Sequence, residues 1–170
     1  RILSGFRTSL LAKDHEAAEE FLDRLRVELR LDALNLHFLQ VQFHKNFGEW
    51  RELRKADFFH QLIYTRRPPA VTSALIEAYY FTELADIGGF KERVIHFNNV
   101  VRPESGDLLK MLPENCSDEV LKTFTLDAIS CDPPRKDILH RLNEISVEMP
   151  DSSFTRFWNS TKDSQPIEEV

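Results

Sequence analysis

The sequence is poor in the features that mark disulfide-stapled, membrane-spanning or nucleotide-binding proteins. Its 170 residues include two cysteines, which are too few for a disulfide framework. No apolar run approaches the roughly 20 residues that span a bilayer, and no stretch resembles a secretory signal. A Gly-rich phosphate loop, a nucleophile elbow and a paired-Cys zinc spacing are all absent from the sequence. We therefore expect a cytoplasmic protein with no membrane association, no cofactor, no metal and no enzymatic activity.

Glycine is also scarce, and its placement is informative. Gly5 is the one glycine of five that falls inside a helical pattern. The others fall at predicted helix ends or in connections: Gly48, Gly88, Gly89 and Gly106. Glycine is costly inside a helix and useful just past its end. This distribution indicates an all-α chain, and 13 phenylalanines suggest aromatic packing between its helices.

The formal charge of −6 is unevenly distributed. Residues 1–70 hold 12 Lys/Arg and 10 Asp/Glu, whereas residues 71–170 hold 10 and 18. A first part at +2 and a second at −8 argue against a general nucleic-acid binder, because affinity for phosphates depends on clustered cations. A local basic patch remains compatible with this balance.

Turn signals recur between helical patterns along the whole chain. They are Asp14-His15-Glu16, Gly48-Glu49-Trp50, Gly88-Gly89-Phe90 and Asp132-Pro133-Pro134. Their intervals of 34, 40 or 41, and about 43 residues lie in the range of helix-hairpin repeats. We predict antiparallel helical hairpins at about 2–29, 32–63, 70–101 and 117–147. Such hairpins stack into a short irregular α-solenoid because none can bury its apolar face alone.

Capping residues and apolar periods set the predicted helix limits. The second hairpin should pair helices over 33–47 and 51–63. Ser117 and Asp132 are predicted N-caps, with Pro133 and Pro134 at the first positions of the helix that follows Asp132. A terminal helix over 151–160 should cap the last hairpin, and residues 161–170 read as a polar, disordered tail.

One stretch resembles a known repeat family. Leu39-x3-Phe43-x3-Phe47-Gly48-Glu49-Trp50-x2-Leu53 is similar to the apolar–aromatic–glycine–aromatic–small series of tetratricopeptide repeats. Asp14-His15-Glu16-Ala17-Ala18 likewise resembles the entry to a second repeat helix. The likeness is that of a degenerate TPR-like or HEAT-like array over about residues 3–100. It implies a scaffold that holds peptides or partner proteins in a concave groove, without catalysis.

The helix over 33–47 carries the predicted ligand stripe. His37, Gln40 and His44 share one face, and in TPR-like arrays the first helix of each hairpin supplies the concave wall. The two histidines lie about 10 Å apart along the axis at about 1.5 Å per residue, so they cannot chelate one metal. They could bind a carboxylate or a backbone segment. The alternative is a solvated or interhelical polar stripe.

The densest basic cluster follows that helix. It consists of Arg51, Arg54, Lys55, Arg66 and Arg67. Arg51 and Lys55 share a helical face and are predicted to orient an acidic partner. The alternatives are phosphate contact with nucleic acid and a solvated helix face.

Two further groups complete the candidates. Phe154, Phe157 and Trp158 form an aromatic edge, which either caps the last hairpin or, through Trp158, anchors a partner. His15 and Glu19 sit at the i, i+4 spacing of a metalloprotease helix, but Glu19 replaces the second histidine, and an acidic first turn explains them without a metal.

These observations predict a non-catalytic protein-interaction or scaffold module that binds a peptide or partner protein. The chain opens with Arg1 rather than Met, so we expect a segment of a larger protein. One alternative is a nucleic-acid-associated helical domain that uses the basic cluster. Another is a helical accessory domain of an enzyme or multi-protein machine whose active site lies elsewhere. The oligomeric state is not predicted.

Overall fold

The computed structural model of the protein describes residues 1–28 and 32–164, and this part of the chain is all-α without a strand. Two π-helical segments, π1 (Tyr80–Leu84) and π2 (Phe97–Val101), continue α6 and α7. The α-helices are α1 (Ile2–Leu11), α2 (His15–Glu28), α3 (Ala33–Asn46), α4 (Trp50–Lys55), α5 (Phe59–Ile63), α6 (Pro69–Tyr79), α7 (Phe90–His96), α8 (Arg102–Glu104), α9 (Asp118–Ser130), α10 (Lys136–Glu148) and α11 (Ser153–Ser164).

The chain divides into two compact units, Arg1–Leu62 (unit 1) and Ile63–Val170 (unit 2). The division falls at the end of α5, where the second predicted hairpin also ends. Among the described residues, none of the helices has both the length and the apolar character that a bilayer crossing requires.

Unit 1 is built on a hairpin of α1 and α2, with α3 packed on α2. The turn between α1 and α2 begins after Ala12, and the Asp14 carboxylate caps α2 by accepting from the Ala17 N–H at 3.1 Å. One apolar cluster joins the three helices: Phe6, Leu10, Ala18, Leu22, Leu25, Leu39 and Phe43. Gly5 is needed where α1 meets Phe21, because a Cβ there would lie 2.5 Å from the ring.

The second predicted hairpin differs from the observed one in its second half. The helix predicted over 51–63 is split into α4 and α5, and Ala56 between them adopts an extended backbone. Leu53 and Phe59 are both fully buried, although they are six residues apart and out of helical register. The break in the helix allows both side chains to reach the interior. In the first hairpin, predicted to end at residue 29, that last residue lies outside the described residues.

Unit 2 is centred on α9. This helix contacts the preceding elements α6, π1, α7 and π2 and the following helices α10 and α11. Most residues of α9 are buried, and the Asp127 side chain is buried together with the apolar ones. The Ser117 hydroxyl caps α9 by accepting from the Val120 N–H at 3.4 Å, as predicted.

The start of α10 and the end of α11 differ from the predictions. Asp132 does not cap α10, which begins at Lys136 with Arg135 at the N-cap position. The Arg135 guanidinium instead donates to the Asp127 carboxylate at 2.7 Å, so a tertiary ion pair fixes this position. Helix α11 continues to Ser164, and Thr161 is buried, so the predicted tail does not begin at 161. Residues 165–170 of that tail lie outside the described residues.

Candidate functional site

An open cleft of about 390 Å³ lies in unit 1 beside the predicted ligand stripe. Its volume falls within the range of roughly 300–1,000 Å³ that is usual for ligand pockets. The lining residues come from α2, α3, α5 and the two residues before α5: Arg26, Leu36, His37, Gln40, Asp57, Phe58 and Gln61. The lining is thus mostly polar, with Leu36 and Phe58 as its apolar side chains.

The packing of His37 defines one wall of the cleft. Its imidazole stacks on the Phe58 ring with the centroids 4.5 Å apart and the planes 14° from parallel. Phe58 reaches this position because the chain breaks between α4 and α5. This contact holds the imidazole in a fixed orientation and covers one face of it.

Two polar atoms at the cleft are buried without a hydrogen-bond partner among the residues that the structure describes. They are His37 Nδ1 and Gln40 Oε1, one helical turn apart on α3. An unsatisfied buried polar group costs about 1–3 kcal/mol, and buried polar groups are therefore nearly always paired. A bound ligand with a complementary donor and acceptor would recover this cost.

Burial also sets the charge of His37. Desolvation lowers the pKa of its imidazole below the ordinary value of 6.5. The ring is therefore neutral at neutral pH and carries one N–H donor and one acceptor nitrogen. A neutral imidazole favours an uncharged hydrogen-bonding group over a carboxylate.

His44, the third residue of the predicted stripe, does not line the cleft. Its Nδ1 lies 3.2 Å from Glu49 Oε1, and the other Glu49 oxygen lies 3.0 Å from His15 Nε2. The His15 ring also packs against Phe43 and Phe47, at centroid distances of 4.9 and 4.8 Å. Glu49 thus ties α2 to the end of α3, and the two histidines that the sequence singles out belong to this structural link.

The basic cluster is not a set of equivalent free cations. Arg51 and Lys55 are exposed on α4, whereas Arg54 lies over the Phe59 ring at 5.5 Å. Arg67, in unit 2, has a side chain that is only 9% exposed. Its guanidinium donates to the Ile63 and Thr65 carbonyls, the Thr72 hydroxyl and the Asp107 carboxylate. Arg67 therefore holds its own unit together and cannot offer its donors to a phosphate.

Trp158 is a core residue of unit 2. It is 2% exposed, packs near Phe154 and donates from its indole nitrogen to Asn143 Oδ1 at 3.2 Å. Helix α11 packs on both α9 and α10. Trp158 therefore fits the predicted cap on the last hairpin better than the alternative of an exposed anchor for a partner. Phe157, the residue before Trp158, is half-buried.

Metal and thiol chemistry find little support in the described part of the chain. No three His, Cys, Asp or Glu side chains within residues 1–28 and 32–164 are placed to hold a metal ion. Both cysteines are free. Burial raises the pKa of Cys116 to about 11, so its thiol stays protonated, and it donates to the Pro113 carbonyl at 2.9 Å.

Sequence reasoning missed five of the seven residues that line the cleft: Arg26, Leu36, Asp57, Phe58 and Gln61. Arg26 sits on α2, and its helical wheel gives no sign that it faces α3. Asp57 and Phe58 were assigned to the interior of a continuous helix. The six-residue interval between the apolar residues Leu53 and Phe59 indicates a break in the helix. That break places Asp57 and Phe58 at the cleft.

Comparison with known proteins assigns the chain to a family. The family model described as DpdD-like matches residues 1–166, and the chain therefore belongs to this family. The curated proteins and the solved structures give no match.

Proposed function

We propose that this DpdD-like chain is a non-catalytic protein-interaction module whose unit 1 cleft binds a peptide or partner protein. The observation that carries the proposal is the pair of buried, unpartnered polar atoms, His37 Nδ1 and Gln40 Oε1, at one open cleft. A binding site must leave some polar groups unpaired in the free protein so that a ligand can pair with them.

The chemistry of the pair fits an extended peptide. A peptide backbone carries one N–H donor and one C=O acceptor per residue, and a carboxamide side chain carries both as well. The Gln40 oxygen would accept the ligand N–H, while the neutral His37 ring would donate to the ligand carbonyl. Arg26 and Asp57, of opposite charge on the cleft lining, would fix the direction of the bound chain.

We further propose that the helical hairpins act as irregular repeats. What supports this is the pattern of contacts in unit 2, where α9 contacts both helices of the preceding hairpin as well as α10 and α11. In stacked repeats, each hairpin packs on the hairpins next to it. The resulting surface would present α3 and its cleft to a partner, and Arg51 and Lys55 would orient an acidic segment of that partner.

Peptide display on the purified protein tests the proposal. Peptides selected on the natural protein are measured by calorimetry against a His37→Leu/Gln40→Met variant, which keeps the side chains similar in size but removes their polar atoms. We expect affinity to fall about tenfold or more, since two hydrogen bonds of about 0.5–1.5 kcal/mol each are lost. The matched control is Gln42→Met, an exposed position on the same helix.

The same measurements separate the alternatives. Equal affinity for the natural protein and the cleft variant would remove the cleft from the proposal. If only nucleic acid binds, with a steep salt dependence that Arg51→Glu/Lys55→Glu abolishes, the nucleic-acid alternative takes its place.

A further inference from the structure

Two cations of unit 2 converge on one aromatic ring. The Arg93 guanidinium, from α7, lies 5.4 Å from the centre of the Phe157 ring on α11. The Lys122 ammonium, from α9, lies 6.0 Å from the same ring and 5.5 Å from the Tyr80 ring on π1. Four helical segments therefore supply one site, in which two half-buried cations border the half-buried Phe157 ring and the buried Tyr80 ring.

Neither cation has a carboxylate partner within ion-pair distance among the described residues. This sets them apart from the other buried or half-buried cations of the unit. Arg67 pairs with Asp107, while Arg102 and Arg135 both pair with Asp127. A partly desolvated cation is unfavourable unless a negative charge compensates it. Within the described residues, the direct contacts of Arg93 and Lys122 are with ring faces, which compensate a cation only in part.

The Arg93 side chain also has an unused donor. Its Nε atom is buried and has no hydrogen-bond partner in the described part of the chain. By contrast, the half-buried Arg102 guanidinium of the same unit donates from its Nε to Asn98 Oδ1 at 2.9 Å. The Arg93 site therefore lacks both a counter-charge and a hydrogen-bond acceptor, and one anionic oxygen group would supply both.

The charge of the surroundings limits which anion fits. Residues 63–170 hold 12 Lys/Arg and 18 Asp/Glu, a net charge of −6. Glu119, one turn before Lys122, acts electrostatically on the same Tyr80 hydroxyl as Arg93 does. This negative setting penalises a polyanion or a doubly charged phosphate more than a single carboxylate. The aromatic surface beside the cations suits the carbon atoms that carry a carboxylate in a peptide.

We propose that Arg93 and Lys122, which both lie close to the Phe157 ring, form a second binding site that takes the carboxylate of an acidic peptide segment. Arg93 and Lys122 hold the carboxylate oxygens, and Phe157 contacts the side-chain carbons next to them. The site belongs to unit 2 and does not depend on the cleft of unit 1.

NMR titration of the protein with a matched peptide pair tests this site. The probes are a blocked five-residue peptide with a central glutamate and the same peptide with glutamine there. We expect the glutamate peptide to shift the Arg93 Nε–H signal and to bind about tenfold more tightly than the glutamine peptide, because hydrogen bonds to charged groups are the stronger ones. The Arg93→Gln/Lys122→Gln variant should lose this difference.

The control variant is Lys91→Gln/Lys136→Gln, which makes the same charge change at two exposed positions of unit 2. It should bind like the natural protein if the effect is local. Three results would overturn the proposal: no shift of Arg93 up to millimolar peptide, equal binding of the two peptides, or equal loss in both variants. Tighter binding of inorganic phosphate than of acetate at Arg93 would overturn the assignment to a carboxylate.

Discussion

The two units treat their buried polar groups in opposite ways. In unit 2, the Asp127 side chain is 6% exposed, and each of its oxygens is paired, with Arg102 at 2.6 Å and Arg135 at 2.7 Å. In unit 1, His37 and Gln40 each bury a polar atom that has no partner in the described residues. The ion pairs of Asp127 hold Arg102 and Arg135 against α9, whereas the unpaired atoms of His37 and Gln40 can still form hydrogen bonds with a ligand. Within unit 2, Arg93 departs from this pattern, because its Nε is buried without a hydrogen-bond partner among the described residues.

The units also differ in how their helices are joined. Unit 1 relies on an apolar cluster with one very close helix approach at Gly5, and on Glu49 bridging His15 and His44. Unit 2 surrounds one helix, α9, and Arg102 and Arg135 both pair with Asp127 near the C-terminal end of that helix. Substitutions in unit 2 should therefore change stability mainly by breaking ion pairs. Substitutions in unit 1 should change it mainly by altering apolar packing.

The largest effect is expected from Asp127→Ala. Removing this carboxylate leaves Arg102 and Arg135 without their counter-charge, and breaking a buried ion pair from one side costs about 3–5 kcal/mol. Urea unfolding measures the change in the free energy of unfolding. Glu114→Ala, at an exposed position between α8 and α9, is the control and should change the free energy of unfolding by less than about 0.5 kcal/mol. Similar values for the two variants would show that the network contributes little.

A smaller loss is expected from Gly5→Ala. The new Cβ would meet the Phe21 ring at 2.5 Å, and overpacking of about 1–3 kcal/mol outweighs the gain of about 0.5–1 kcal/mol from helix propensity. The net loss should be about 1–2 kcal/mol by urea unfolding. Gly88→Ala, which meets no atom within 4 Å, is the control. Adding Phe21→Leu should restore part of the loss; no recovery would mean that the ring is not the obstacle.

The smallest effect concerns pH. Because burial lowers the pKa of His37 in the folded protein below 6.5, the unfolded chain takes up this proton first as the pH falls. Stability is therefore lost as the pH drops from about 6.5 toward the lowered pKa. The His37→Leu variant should lose less stability than the natural protein between about pH 7.5 and pH 5 in urea unfolding. Gln40→Leu keeps the imidazole and should retain the natural pH dependence. If His37→Leu also retains it, His37 does not titrate with folding.

The local features of the fold could be predicted from the sequence. The all-α class, the turns after α1 and α3, the Ser117 cap and the covering position of α11 follow from periodicity and capping chemistry, which act within a few residues. The break at Ala56 and the start of α10 at Lys136 could not, because distant contacts decide them. The burial of Phe59 requires the break at Ala56, and the Arg135–Asp127 ion pair accompanies the start of α10 at Lys136.

The candidate site was predictable to the same extent. His37 and Gln40 share a helix face, so their common location at the cleft follows from spacing alone. The diversion of His44 to Glu49 depends on the path of the turn, and the burial of Trp158 depends on Asn143 of α10. Arg93 and Lys122 lie 29 residues apart on different helices, and no local signal in the sequence joins them to Phe157.

The π-helical segments have a consequence for comparing members of this family. A π turn holds one residue more than an α turn over about the same length, and π1 packs against π2. A relative can therefore lack one residue within Tyr80–Leu84 or Phe97–Val101 and still keep both neighbouring turns in place. Single-residue gaps in an alignment of unit 2 belong in these two segments, and gaps placed there keep the α9-facing positions of α6 and α7 in register.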